Sequence, residues 1–227
     1  MKTKFLSAIL AIALIVGLTS CNDSKDDAPA TYLNFMTLTA NSTAGSVLEM
    51  YNVATKSLLT FTSDRTFDEK SNVKVGDRVL VMYGYPAGRT PYTSGAIDML
   101  AYRTVTNGAI TWENTNGLYM GELQTHAVSI EGAYLNYEGL GVYFNDYKTL
   151  RLVADEKTLD DKMPVVYLQY ESGDNVNGTW KTVYGSFNIS AIWSNAKYDG
   201  FTLRINDTNS AFHELTFKRD DVLKPIE

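Results

Sequence analysis

Two histidines, one cysteine and a few clustered acids are the side chains from which a catalytic or metal centre would have to be built. His126 and His213 are far apart, and neither has a second histidine or a cysteine at ligand spacing, so a zinc site of the usual nitrogen and sulfur kind is not expected. Period-2 counting through "AFHELTFK" puts His213 on one strand face with Leu215 and Phe217, which predicts a packed, hydrogen-bonded imidazole. His126 falls in a turn-rich stretch, where a hydrogen bond between the two halves of the chain is expected. Asp155, Glu156, Asp160 and Asp161 gather around one loop, and Asp207-Thr208-Asn209 forms a second acidic spot. Calcium takes six to eight oxygen ligands, often from a characteristic loop spacing that neither stretch has, so both are expected to be solvated loops. No nucleophile elbow, phosphate-binding Gly-Lys loop, paired-histidine zinc motif or dinucleotide fingerprint occurs. In "GLGVYF", Gly139 and Gly141 lie among strand formers and do not open a helix. The expectation is a non-enzymatic protein with no catalytic residue, cofactor or metal. A hydrolase using a carboxylate pair brought together only in space is the third-ranked reading.

Aromatic side chains are the remaining candidates. Tyr83, Tyr85 and Tyr92 lie within "YGYPAGRTPYTS", a Pro/Gly-rich loop of the kind that carries binding surfaces. Trp112 and Tyr119 lie beside or within the turn-rich patch "ENTNGLYMGELQTH". Such rings stack on sugars or anchor protein interfaces, and packing within a core is the alternative for each.

The cysteine has a different use. Lys2 and Lys4 precede an apolar stretch from Phe5 to Gly17. That stretch is shorter than the roughly 20 residues a membrane span needs, and it has the length of a signal-peptide core. "LTSC", ending on Cys21, resembles the lipobox of bacterial lipoproteins, which implies cleavage before Cys21 and lipid on its sulfur and amino terminus. The mature chain then has no free thiol, so disulfides and cysteine metal sites are excluded. "NDSKDD", residues 22–27, reads as a solvated acidic tether. It also resembles the export signal of surface lipoproteins in Gram-negative anaerobes, which implies an outer-membrane protein displayed at the cell surface, with a periplasm-facing anchor as the alternative.

Charge narrows the partners. The net charge is −6, and removing residues 1–20, with two lysines and no acid, makes it −8. Nucleic acid and anionic lipid would repel such a protein, so neither is an expected partner.

The rings must be positioned by strands. Fifteen tyrosines and nine phenylalanines favour strand over helix, and no long stretch after the tether keeps a helical period. "TYLNFMTLTA", "SVLEMYNVAT" and "KSLLTFTS" read as the first strands. "VKVGDRVLVMYGY" reads as a turn at Val75-Gly76-Asp77 and a strand from Val79 to Tyr83 buried on both faces. "MLAYRTVTNGAITW" reads as a hairpin turning at Asn107-Gly108. After the turn-rich patch, "AVSIEGAYLNYEGLGVYF", "TLRLVADE", "PVVYLQYES", "TWKTVYGSFNISAI", "GFTLRIND" and "AFHELTFK" predict six or seven more strands, with a second turn signal at Asn177-Gly178 and a loop over residues 154–163. The chain is all-β: a signal peptide over 1–20, a lipidated tether over 21–31, a first β unit over 32–117 and a second, antiparallel β-sandwich over 118–227.

With these pieces together the chain resembles the NigD-like lipoproteins. The resemblance is carried by the lipobox with its acidic tether, by "KVGDRVLVMY", and by "YLNYEGLGVYF", "VVYLQYESGDN" and "GSFNISAIW". It implies an N-terminal OB-like barrel followed by a C-terminal β-sandwich, and, through the bacteriocin association of the family's name, an immunity-like role. The chain lacks the family's Asp/Gly-rich lead-in, and "GYPAGRTPYTSGA" lies where members vary. The function expected is a lipid-anchored envelope protein that binds a macromolecular partner, a protein such as a bacteriocin or, alternatively, a glycan.

Overall fold

Apolar residues at every second position need a sheet with one dry face, and the chain builds two such assemblies. The structure, a computed structural model, describes residues 30–143, 149–171 and 178–222. Cys21, its signal peptide, most of the tether and Asn177 lie outside the described residues.

The first assembly contains β1 (Thr31–Ser42), β2 (Gly45–Asn52), β3 (Ser57–Ser63), β4 (Arg78–Gly84), β5 (Gly95–Ala96) and β6 (Asp98–Thr104), in the order β5-β3-β2-β1-β4-β6. β5 pairs in parallel with β3, and β6 pairs antiparallel with β4. Only Ile97 separates β5 from β6, and its N–H donates to the Thr62 carbonyl at 2.9 Å. Both edges of the sheet therefore belong to one chain segment, and the sheet curls into the expected OB-like form, partly open because β5 and β6 do not pair with each other. Inward residues Met36, Leu38, Leu48, Phe61, Val79, Val81 and Tyr83 fill it. Burial of β4 on both faces holds only in part: Leu80 is buried on the outer side, but Met82 is 39% exposed.

The second assembly is a sandwich. One sheet has the order β7-β13-β10-β9 and the other β15-β14-β12-β11-β8. The strands are β7 (Thr106–Ala109), β8 (Thr111–Glu113), β9 (Leu123–Glu131), β10 (Tyr134–Tyr143), β11 (Thr149–Asp155), β12 (Val165–Glu171), β13 (Thr179–Asn188), β14 (Gly200–Ile205) and β15 (Glu214–Lys218). Leu135, Tyr137, Leu152, Leu168, Phe187 and Phe201 form its core. The sandwich is not purely antiparallel, because β7–β13, β8–β11 and β12–β14 pair in parallel. The last pair arises because the chain crosses to the opposite sheet as β13 before returning as β14. Residues 154–163 finish β11 and then form a short 3₁₀ turn and loop. Among the described residues no helix is long and apolar enough to cross a membrane.

The hairpin expected at Asn107-Gly108 does not form. Neither residue has a positive φ, and both lie within β7, paired with Ser186 and Phe187. The Asn107 carboxamide behaves as an extra peptide group: Oδ1 accepts from the Arg78 N–H at 2.6 Å and Nδ2 donates to the Arg78 carbonyl at 3.0 Å. Residues 106–113, expected in the first unit, thus hydrogen-bond as edge strands of both sandwich sheets, and the pairing changes over at buried Val105 rather than near residue 117.

The glycines of "GLGVYF" make room for core rings. A Cβ on Gly141 would lie 2.6 Å from Cζ of Tyr170, and one on Gly139 would meet the Tyr137 hydroxyl and lie 2.6 Å from the Gln124 carbonyl oxygen. Gly139→Ala and Gly141→Ala are each expected to destabilise the protein by about 1–3 kcal/mol through overpacking. Urea unfolding of the variants measures this, and unchanged midpoints would show that the rings yield freely.

Arg78 joins the two assemblies. It leaves β4 of the barrel and ends 4% exposed against the sandwich. Nε donates to Ser186 Oγ at 3.0 Å and Nη2 to Asn136 Oδ1 at 3.3 Å. The Glu131 carboxylate lies 3.6 Å away, and the guanidinium sits 4.5 Å from the centre of the Tyr134 ring. Burial holds the Arg78 guanidinium below and the Glu131 carboxyl above their ordinary pKa values, each opposed by the other's charge.

Candidate functional site

The tyrosines of "YGYPAGRTPYTS" converge at one end of the barrel. β4 delivers Tyr83 inward, and the strand register sets Tyr32 of β1 directly opposite it. Their rings stack with centres 5.5 Å apart. Phe61 of β3 lies 5.7 Å from Tyr83. Tyr85 meets Tyr32 and Tyr83 edge-on at 5.1 and 5.4 Å, and Tyr92 meets Tyr32 edge-on at 5.6 Å. Stacked and edge-to-face pairs at such spacings contribute about 0.5–1.5 kcal/mol each beyond area burial.

The loop above the rings is held before any partner arrives. The Tyr92 N–H donates to the Tyr85 hydroxyl at 2.8 Å, and Tyr92 has a φ of 57°, an uncommon conformation for a bulky side chain. Arg89 Nη2 donates to the Thr93 carbonyl at 2.8 Å, over Gly95, where a Cβ would lie 2.7 Å from the same nitrogen. Ser94 Oγ accepts the Thr60 N–H at 3.1 Å and ties the loop to β3. Tyr83 is fully buried and donates its hydroxyl proton to Asn34 Oδ1 at 3.1 Å, whereas Tyr92 is 40% exposed. The site is an aromatic base, fully buried at Tyr83 and Phe61 and half-buried at Tyr32 and Tyr85, carrying one exposed ring.

Two of its phenols hold their protons more tightly than a free tyrosine. Burial pushes Tyr83 far above the ordinary phenol range, and burial with the neighbouring Tyr32 and Tyr85 also raises Tyr92. Burial likewise raises Tyr137 and Tyr184, and pushes Tyr170 up to about 12. Folded values above the unfolded value of about 10 mean that these groups contribute stability fully below pH 10 and lose it as pH rises through their folded values. Alkaline unfolding is therefore expected to begin above about pH 10 and to coincide with tyrosinate formation. Parallel circular dichroism and ultraviolet difference titrations check this, and tyrosinate appearing in a fully folded protein would contradict it.

The other two aromatic candidates are elsewhere. Trp112 stacks on Tyr198 at 5.9 Å and packs against the sandwich core, so it takes the core alternative. Tyr119 is 61% exposed on the segment that crosses the outer face of β12, where its carbonyl accepts from Gln169 Nε2 at 3.1 Å. Tyr32 and Phe61, which complete the cluster, were not singled out from the sequence. A ring at an inward position of β1 was the available signal for Tyr32, whereas Phe61 joins only because the sheet curls and brings β3 to face β4.

The histidines and acids are accounted for structurally. His213 is hydrogen-bonded as expected, through Nε2 and the Asp207 carbonyl at 2.7 Å, but it is exposed and precedes β15 instead of packing within it. His126 is exposed on β9, not set in a contact between the two assemblies. Asp155 caps a 3₁₀ turn and Asp160 pairs with Lys197 at 2.8 Å. Asp207 is buried, not solvated: its carboxylate accepts the N–H groups of Thr125 at 2.6 Å and Asn209 at 2.7 Å.

No protein-family model matches the chain, and no curated protein sequence does. Solved structures match over most of its length. A protein of unknown function from Bacteroides vulgatus is 16% identical, with a TM-score of 0.62 over 83% of this chain and 89% of its own. A NigD-like immunity protein from Bacteroides caccae is 13% identical, with a TM-score of 0.55 over 84% and 93%. A candidate lipoprotein from Bacteroides fragilis is 10% identical, with a TM-score of 0.54 over 83% and 96%. The OB-like barrel followed by a β-sandwich is therefore a fold that this chain shares with a NigD-like protein, as its sequence resemblance implied.

Proposed function

We propose that the protein is a non-enzymatic, lipid-anchored envelope protein that binds a protein partner through the barrel-end tyrosine cluster, in an immunity-like role. The observation that carries this reading is the exposed Tyr92 ring on a loop already fixed by its own hydrogen bonds above the stacked Tyr32 and Tyr83 and the edge-on Tyr85. A rigid aromatic on a buried base loses little conformational freedom on docking, which is the usual character of an interface anchor. The anchor is lipid on Cys21, and "SKDD" directs the protein to the outer face of the outer membrane. Two structural neighbours, described as a NigD-like immunity protein and a candidate lipoprotein, support the role and the anchor.

Deleting the gene is expected to sensitise cells to a toxin encoded beside it. Wild-type protein should restore resistance, and Tyr92→Ala, at equal abundance, should restore at least about tenfold less, the scale of losing one interface anchor. An unchanged toxin response on deletion would overturn the role, and full rescue by Tyr92→Ala would overturn the site.

A further inference from the structure

Strand β13 is paired unevenly. On one side it pairs with β10 along its whole length, from Thr179 to Asn188, without a register break. On the other side it pairs with β7, and only from Gly185 onward. Between Thr179 and Tyr184 no described strand lies on that second side. Alternate residues of an antiparallel pair turn their N–H and C=O groups away from the partner, so this stretch presents a short row of backbone groups with no strand partner among the described residues. Chains usually guard such an edge with proline, a bulge or an inward charge. Here there is no proline or bulge; Lys181 is the one inward charge, on the core-side face with Val183, and its ammonium is held 4.2 Å from the centre of the Tyr143 ring on β10, the side of the strand that is already paired.

The chain leading into β7 diverges from β13 at this point, on its way from the barrel. The result is an open wedge of about 450 Å³, with Arg103, Thr104 and Thr106 on one wall and Thr182 and Tyr184 on the other. Arg103 is exposed and makes no ion pair among the described residues. It is a cation without a direct carboxylate partner among the described residues, in a chain of net charge −6.

We propose that this wedge accepts an extended peptide segment of a partner protein, added as a strand to β13 between Thr179 and Tyr184, with an acidic side chain set against Arg103. The added strand continues the line of β7, so it extends a pairing the fold already makes. Main-chain hydrogen bonds supply affinity in this mode, and side chains at alternate positions supply specificity. The site is separate from the tyrosine cluster and does not depend on the role proposed for it.

Panning a displayed random heptapeptide library on the intact protein tests the site. Enriched sequences are expected to alternate strand-forming residues and to carry an acid. The synthetic winner should shift the amide resonances of residues 179–184, and should lose at least about tenfold in affinity on Arg103→Glu, or when its alternate backbone nitrogens are methylated, the scale of a lost charge pair or main-chain contacts. Tyr92→Ala should bind it unchanged. Equal binding to Arg103→Glu and by the methylated peptide, failure of any sequence to enrich, or maltohexaose occupying the wedge instead would each overturn the proposal. Loss of toxin protection in Tyr92→Ala with peptide binding retained would separate the two sites.

Discussion

Arg78→Ala is expected to destabilise the protein by about 3–5 kcal/mol, the usual consequence of removing one partner from a buried ion pair. The guanidinium is 4% exposed and donates to Ser186, Asn136 and, at 3.4 Å, Thr37. Alanine would remove three donated bonds, leaving Asn136 Oδ1 with only the Ser186 hydroxyl at 2.7 Å, and would leave the Glu131 carboxylate, 19% exposed, without its counter-charge. For a chain of this size the melting point should fall by roughly 10 °C. The pH dependence separates charge from packing. Glu131 already has a raised folded pKa, so its contribution to stability is fully present below its unfolded value and is lost as pH rises through its folded value. Without Arg78 that folded value rises further. The gap between variant and wild type should therefore be widest at neutral pH and narrow towards pH 4, near the unfolded carboxyl value of about 4.3. Arg78→Ala combined with Glu131→Gln should recover part of the loss, because the amide carries no charge to strand. Calorimetry across pH with the double-mutant cycle measures all three, and a pH-independent gap would mean that only packing was lost.

Tyr83→Ala should cost a similar amount, about 3–5 kcal/mol, by opening a cavity where a fully buried ring stood. Its distinguishing consequence lies at the barrel end. The Tyr83 ring is in contact with Tyr32, Tyr85 and Phe61, so its removal takes the floor from under the exposed Tyr92. Tyr83→Phe keeps the ring and loses only the hydroxyl bond to Asn34, an effect of about 1 kcal/mol. If the cluster is the binding surface, protection against toxin should follow the ring: near normal in Tyr83→Phe, and lost in Tyr83→Ala at temperatures where the variant remains folded. Equal protection by both folded variants would detach function from the cluster. Denaturant unfolding paired with the protection assay makes the comparison.

Strand identity was legible wherever alternation is a local property. β1 to β3 fall almost where the apolar residues of their segments place them, and Pro164 sits just before β12, where its missing N–H does no harm. The turn-rich patch misled the placement of residues 106–113. Asn-Gly is a strong hairpin signal only when both residues can take positive φ, and here the Asn107 side chain is already committed to the Arg78 backbone. Gly108 is needed for another reason, since a Cβ there would lie 3.2 Å from the Phe187 ring. Neither demand can be read without knowing which strand lies opposite.

The candidate site divides in the same way. That Tyr83, Tyr85 and Tyr92 flank one turn-rich loop is a matter of spacing, and spacing was enough to bring them forward. That Tyr32 and Phe61 complete the cluster follows from the register of β1 on β4 and from the curl of the sheet, whose two edges are joined in sequence through Ile97, contacts between residues distant in the chain. The all-β class, the alternation of strand faces and the loop that carries the exposed ring are local properties, because backbone propensity and side-chain alternation act over a few residues. It takes long-range packing to make Arg78, an ordinary charge just after a turn, a buried link between two cores, and to leave half of one β13 edge without a strand among the described residues. Burial and strand partnership depend on which distant segment packs alongside, and a local pattern does not encode that segment.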